Sequence, residues 1–417
     1  MSPRNWSSRI SLIAVAASAL GAARLPSVKP EQAGVSTERL ARIGADTRRY
    51  IDRQEIAGAV TLVARRGRIV HLEAHGMTDV ASKKPMTTDA IFRIASMTKP
   101  ITSIAVMMLL EEGRFLLTDP VSKFLPEFRD PRVAVVTRPG QDVVPFHTVP
   151  AERPITIQHL LTHTAGLANT YTGPTRELYA RLAADRKPDA TLADAMAGLA
   201  KLPLNFQPGA AWEYGPATDV LGRLVEVVSG IPFDQFLDQR ILGPLGMTDT
   251  FFHVPDDKLA RLATNYVPAE PRGIRPAPAQ GRGSRTYFSG AGGLFSTAED
   301  YFLFSQMLMN NGELNGVRLV SRKTIELMTA NHIGTHAMWP TLAGYRFGLG
   351  FRVMTDPGPS AKLESAGSYG WGGAFGTYFW VDPKEWMIGV YMKQIRPYSH
   401  LNTRVGFQNL ATQAIID

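Results

Sequence analysis

Cysteine is missing from all 417 residues of this chain. Its absence excludes disulfides, thiolate metal sites and a cysteine nucleophile together, and leaves the redox compartment open. Long apolar runs are almost as scarce. Ile10 to Ala23 comes nearest, yet it is too short for a comfortable transmembrane helix, and no stable membrane insertion is expected. Arg4 and Arg9 precede that run, and Ala17-Ser18-Ala19 and Gly21-Ala22-Ala23 offer small-residue cleavage points. Residues 1–24 therefore read as a secretory signal, which implies a periplasmic or secreted protein; unprocessed, the chain is cytoplasmic. The patterns G-x-S-x-G, G-x-G-x-x-G and the P-loop are also lacking, which removes the nucleophile elbow of α/β-hydrolases and the usual nucleotide folds. Histidines recur at i, i+4 in His71/His75, His159/His163 and His332/His336, but none forms H-E-x-x-H, so no metal site is expected. Forty-five Lys and Arg against thirty-seven Asp and Glu give a net charge of +8. These charges are scattered, without a basic stripe interleaved with aromatics, so no nucleic-acid partner is expected. Arg65-Arg66-Gly67-Arg68 reads as a polar hairpin turn.

What is present is an ordinary globular composition, 44% hydrophobic, long enough for two or three domains or one large two-part body. Ser36 to Tyr50 has helical spacing behind a serine cap, and Ala59 to Ala64 with Arg68 to Ala74 form a hairpin rich in β-branched residues. The five prolines between Pro131 and Pro154 argue for a loop or lid. Ile157–Thr162, Thr191–Leu202 and Thr218–Ser229 are helical stretches, and Thr264 to Arg285 reads as a long surface connection. Ser296-Thr297-Ala298-Glu299 resembles a capping box for a helix ending near Asn311-Gly312. Tyr345–Met354, Phe375–Val381 and Met387–Lys393 read as strands, and Asn402–Ile416 as a closing helix. Strands at both ends and helices between them predict one antiparallel sheet built from both chain ends. Residues 25–110 with 286–417 would form that α/β domain, and 111–285 a mainly helical domain with long loops.

Chemistry enters at Ser96-Met97-Thr98-Lys99. A hydroxyl and an amine three residues apart stack on one helical face, placing a nucleophile beside a base. Alone the pattern is common, and a capping serine beside a solvated lysine would look the same. Its setting is special: an extended segment, Ile91 to Ala95, runs into the apolar helix Ile101 to Leu110, and Pro100 fits an early helical position. Tyr214, in Trp212-Glu213-Tyr214 just before a helix, stands where a phenol can move protons, or simply packs Trp212. Gly370-Trp371-Gly372-Gly373-Ala374 leads into the strand from Phe375. Its glycines would let a ligand approach the backbone, and a free N–H there could join that of Ser96 as an oxyanion hole.

Five segments in order, Phe92 to Pro100, Ile155 to Leu167, Trp212 to Tyr214, Gly290 to Thr297 and Trp371 to Gly373, resemble the β-lactamase-related serine hydrolases. That superfamily holds class C β-lactamases, DD-peptidases and family VIII carboxylesterases. The resemblance implies a β-lactamase/transpeptidase-like α/β fold, an antiparallel sheet flanked by helices plus an all-helical domain, with the active site between them. It implies Ser96 as nucleophile, Lys99 and Tyr214 sharing acid and base work, and backbone N–H groups of Ser96 and Ala374 as oxyanion donors. Trp371, Gly372 and Gly373 would line the substrate site, with Tyr171 as a further wall; no cofactor is implied. Two departures separate this chain from its drug-binding relatives. Tyr214-Gly215-Pro216 replaces their Tyr-x-Asn, and Trp371-Gly372-Gly373 replaces their Lys/His-Thr-Gly, so the cation that meets a substrate carboxylate is lost. That attraction is worth roughly a few kcal/mol when partly desolvated. The tryptophan would instead offer a flat apolar wall, unless an arginine of the Thr264–Arg285 loop restores the charge. These departures and the W-G-G pattern predict a carboxylesterase acting on a small-molecule ester through an acyl-enzyme, with weak or no β-lactam hydrolysis. A β-lactamase, a DD-peptidase, an acyltransferase and a non-turning-over penicillin-binding-type receptor remain alternatives.

Overall fold

Arg66 and Gly67 take left-handed backbone angles, φ +54° and +73°, and so close a tight hairpin between two long strands. In the computed structural model, which describes residues 26–137, 145–278 and 281–417, these are β1 (Gly58–Arg65) and β2 (Arg68–Asp79). A short β3 (Lys84–Pro85) follows. Five more strands come from the C-terminal part: β4 (Tyr345–Phe347), β5 (Arg352–Met354), β6 (Tyr369–Gly372), β7 (Tyr378–Asp382) and β8 (Met387–Met392). The sheet order is β4-β5-β6-β7-β8-β1-β2-β3, antiparallel throughout. The two chain ends meet where β8 pairs with β1, Val60 opposite Met392 and Leu62 opposite Val390. The secretory-signal expectation falls on residues outside those described.

Strand alternation assigns the two faces. Val60, Leu62, Phe379, Val381 and Val390 join the large core that includes Tyr301 and Phe302 of helix α4 (Ala298–Met309). Ala59, Val63, Trp380 and Tyr391 join a second core with Leu40 and Ile43 of α1 (Thr37–Asp52) and Phe407 and Ala411 of α5 (Thr403–Thr412). Both faces are thus covered, and all of β1 is buried. Helix α2 (Thr98–Glu111) is buried from Thr98 to Leu109 and packs on α3 (Ala217–Ser229), which belongs to the helical middle of the chain.

Several expectations change. The proline-rich stretch after Pro131 contains a hairpin, Arg132–Val136 with Phe146–Pro150, because Pro131, Pro145 and Pro150 sit at the strand ends. The Thr264 connection carries another, Tyr266–Pro268 with Ile274–Pro276, anchored by the buried Tyr266 ring. Tyr345–Met354 is two strands rather than one, broken at Gly350, whose φ of +93° turns the chain. The helix cap is Thr297, which accepts from the Asp300 N–H at 3.1 Å, one residue later than the predicted box. Arg65 is no exposed turn residue: it is 4% exposed and donates to the carbonyls of Ala33 and Gly34 and to Asp417. It ties the sheet to the last residue of the sequence.

Candidate active site

Ser96 lies in a 3₁₀ turn, Ala95–Met97, that runs directly into α2. The turn is held rather than free. Tyr301 Oη donates to the Met97 carbonyl at 2.8 Å, Leu294 N–H donates to Thr98 Oγ1 at 3.1 Å, and Ile94 N–H donates to the Leu294 carbonyl at 3.1 Å. These contacts maintain Ala95 at φ +43°, a conformation costing about 1 kcal/mol for a non-glycine residue. So the Gly290–Thr297 segment acts as a clamp on the Ser96 turn.

That same clamp aims the lysine. Lys99, 4% exposed, donates from Nζ to the Ala291 carbonyl at 2.7 Å and approaches Ser96 Oγ at 3.4 Å. Its ammonium also sits 4.5 Å from the centre of the Tyr214 ring, within cation–π range. The Ala291 loop is fixed in turn by Asp219 of α3, whose carboxylate accepts from the Ala291 N–H at 2.9 Å, Ser289 Oγ at 2.7 Å and Tyr287 Oη at 3.1 Å. Asp219 escaped the sequence reading because a lone aspartate in an amphipathic helix looks like a solvated face.

Tyr214 is held from three sides. Trp371 donates its indole N–H to Tyr214 Oη at 3.0 Å. Trp212 stacks at 6.3 Å between ring centres, and His163 packs at 4.7 Å. His163 is fully buried, and desolvation together with the neighbouring Lys99 charge pushes its pKa well below the ordinary value, so it packs as a neutral ring. Its backbone carbonyl accepts from the Glu213 N–H at 2.9 Å, tethering the residue before Tyr214. The i, i+4 partner His159 instead closes a capping box with Thr156. Spacing alone could suggest only metal chemistry for this pair; the His-Thr-Ala-Gly turn, with His163 at φ +57° and Gly166 at +81°, was the signal available.

One cavity of about 670 Å³ gathers Ser96, Tyr214, Trp371, Gly372, Gly373, Ala374 and Tyr171, so the predicted site residues converge, with Lys99 behind the serine. A second, of about 680 Å³ and sharing Tyr171 and Tyr214, extends beneath Leu182, Ala195 and Met196. The N–H groups of Ser96 and Ala374 have no hydrogen-bond acceptor among the described residues, as an oxyanion hole requires. Trp371 is a hydrogen-bond partner of Tyr214 as well as an apolar wall. Gly372 and Gly373, which line the cavity, also leave room for protein: a Cβ on Gly373 would stand 2.3 Å from the Ile94 carbonyl, and one on Gly372 2.7 Å from the Arg404 guanidinium. Strand β6 ends at Gly372, a turn runs through Ala374, and β7 begins at Tyr378 rather than at the expected Phe375.

The cavity is also not without positive charge. Arg352, Lys362, Arg396 and Arg404 line it, none of them from the Thr264–Arg285 loop, and no Asp or Glu joins them in the lining. Arg352 is compensated by buried Glu364 at 4.0 Å, and burial lowers the Lys362 pKa to about 8. Arg396 donates to Tyr171 Oη at 2.8 Å, bridging the cavity's two sides. Among the described residues no group of three His, Asp or Glu side chains could hold a metal ion, and no helix is long and apolar enough to cross a membrane.

Ser96, Lys99 and Tyr214 thus lie close together in a chain most of whose length matches a known family. The Beta-lactamase family profile matches residues 43–408. The chain belongs to the beta-lactamase family. Esterase EstB of Burkholderia gladioli is 31% identical over 364 residues, covering 82% of this chain and 87% of that one. An uncharacterised Mycobacterium tuberculosis protein is 38% identical over 367 residues, covering 85% and 89%. Among solved structures, EstCE1, a hydrolase with promiscuous acyltransferase activity, superposes with a TM-score of 0.77 at 29% identity, covering 91% of this chain and 99% of that one. The β-lactamase-like fold implied by the five sequence motifs is therefore the fold of this protein.

Proposed function

We propose that this beta-lactamase-family protein is a serine carboxylesterase working through an acyl-enzyme. The observation that carries the reading is the Trp371 N–H bonded to Tyr214 Oη, which puts a neutral donor where the drug-binding relatives place a cation. Esterase function in the relative EstB, and hydrolase with acyltransferase activity in EstCE1, support it. Ser96 Oγ attacks the ester carbonyl while the N–H groups of Ser96 and Ala374 receive the oxyanion. Lys99 and Tyr214 take the serine proton and deliver it to the leaving alcohol as the acyl C–O bond breaks. Water then attacks the acyl-serine, the acid departs and Ser96 recovers its proton.

The basic cavity lining favours a second reading, hydrolysis of a carboxylate-bearing β-lactam. A parallel panel separates the two. Wild type should hydrolyse short-chain p-nitrophenyl esters and turn nitrocefin over slowly, and Ser96→Ala should lose ester hydrolysis. Fast nitrocefin cleavage with negligible ester activity would reverse the order, and stable labelling without turnover would indicate a receptor.

A further inference from the structure

Arg404 occupies a place that helix stability does not explain. It is the second residue of α5, where the macrodipole disfavours a cation by roughly 0.3–1 kcal/mol at an exposed site. Among the described residues it makes no ion pair with a carboxylate. Its partners are instead backbone carbonyls. Nη2 donates to Gly373 O and, at 2.7 Å, to Thr377 O, while Nε reaches Gly376 O at 3.4 Å. The Tyr398 ring lies 4.0 Å from its guanidinium carbon and holds it from the other side.

The bond to Gly373 O bears on the reaction. The Gly373–Ala374 peptide is trans, since the only cis bonds among the described residues precede Pro271 and Pro397. In a planar trans peptide the carbonyl and the following N–H point in opposite directions. An arginine that grips the Gly373 carbonyl therefore fixes the direction of the Ala374 N–H, which is the unpaired donor beside Ser96 in the cavity. It also polarises that peptide, making its N–H a stronger donor to developing negative charge. The Gly376 N–H bonds the same carbonyl at 3.1 Å, and the Gly373 N–H bonds Thr377 O at 2.8 Å, so the turn is braced around the arginine. The absence of a side chain at Gly372 keeps this path clear.

We propose that Arg404 is a positioning residue for the oxyanion hole, acting through the Gly373–Ala374 peptide rather than by touching substrate. The proposal rests on the acyl-transfer reading of Ser96.

The test compares Arg404→Gln with wild type on p-nitrophenyl acetate and on its thionoester, whose sulfur is a poor oxyanion-hole acceptor. Circular dichroism and thermal melting establish that the variant is folded. The kcat on the oxo-ester should fall by about ten- to a hundredfold with KM changed by less than about threefold, since a whole lost donor costs on the order of 10²- to 10³-fold. The oxo-to-thiono rate ratio should shrink with it. Arg404→Ala should regain rate with millimolar methylguanidinium, and Arg404→Lys should fall between wild type and Arg404→Gln. A folded Arg404→Gln with unchanged kcat and ratio would overturn the proposal. So would a fall in kcat with the ratio intact and no guanidinium rescue, because a merely structural arginine would behave that way. Labelling of Ser96 by a fluorophosphonate, which needs no ester substrate, keeps the two failures apart. Slower labelling in Arg404→Gln than in wild type is expected even if esters prove not to be the substrates. If wild type is not labelled at Ser96, the underlying reading and this inference both fail.

Discussion

Trp371 contacts Tyr214 in two ways. Its indole N–H donates to Tyr214 Oη while its ring packs 5.2 Å from the tyrosine ring, so it sets both the position and the hydrogen bonding of the phenol. Trp371→Phe keeps an aromatic ring, though a smaller one, and removes the donor. We expect kcat on p-nitrophenyl acetate to fall about tenfold, the worth of one hydrogen bond, with KM nearly unchanged. Steady-state kinetics check this. Tyr214→Phe should lose most of kcat while retaining its melting temperature, and unchanged kinetics would remove Tyr214 from the mechanism. The proximity of Lys99 to Ser96 was legible in the sequence because helical spacing fixes it, and Tyr214 was singled out by the family resemblance. Asp219, His163 and Arg404 were not. Each acts on a backbone group or a ring from a distant segment, and nothing in local spacing records such a contact.

At the level of elements, the end of β6 is fitted to the nucleophile turn. Thr377 Oγ1 donates to the Ile94 carbonyl at 3.3 Å, and a Cβ on Gly373 would come within 2.1 Å of that hydroxyl. Gly373→Ala should therefore force the strand end away from Ser96, destabilising the fold by about 1–3 kcal/mol and lowering activity more than Trp371→Phe does. Thermal melting with kinetics reads both effects. A second prediction concerns the hairpin of β1 and β2. His71 is buried, bonded to Thr61 Oγ1 at 2.8 Å, and burial lowers its pKa to about 4. The unfolded chain protonates it near its ordinary pKa, so its contribution is intact above about pH 6.5 and is lost as pH falls toward 4. His71→Gln should flatten the acid side of a plot of melting temperature against pH. Hairpin and helix boundaries near the N-terminus were readable because alternation and capping are local. The β6 strand was missed because Gly370 and Gly372 carry no hydrophobic signal; their reason lies in the Phe379–Trp380 backbone and in Arg404, elsewhere in the chain.

Across the whole molecule, both chain ends build one sheet, and the helical middle closes a cleft against it. The charge of that cleft could not be read from the sequence, since its arginines and lysine come from four separate C-terminal segments that only the fold assembles. Arg396 and Tyr171 join the two sides of the opening at 2.8 Å. Tyr171→Phe should loosen this bridge and raise KM for bulky esters by a few-fold while leaving kcat on the acetate ester within about twofold, as expected for an exposed hydrogen bond remote from the reacting atoms. The proposed reaction, however, runs through a covalent intermediate. Mass spectrometry of the protein quenched during turnover of a p-nitrophenyl ester tests it most directly. One acyl group should appear on the peptide containing Ser96 and vanish in Ser96→Ala together with turnover. Turnover that persists in Ser96→Ala, or an acyl group that resides on a different residue, would contradict the account.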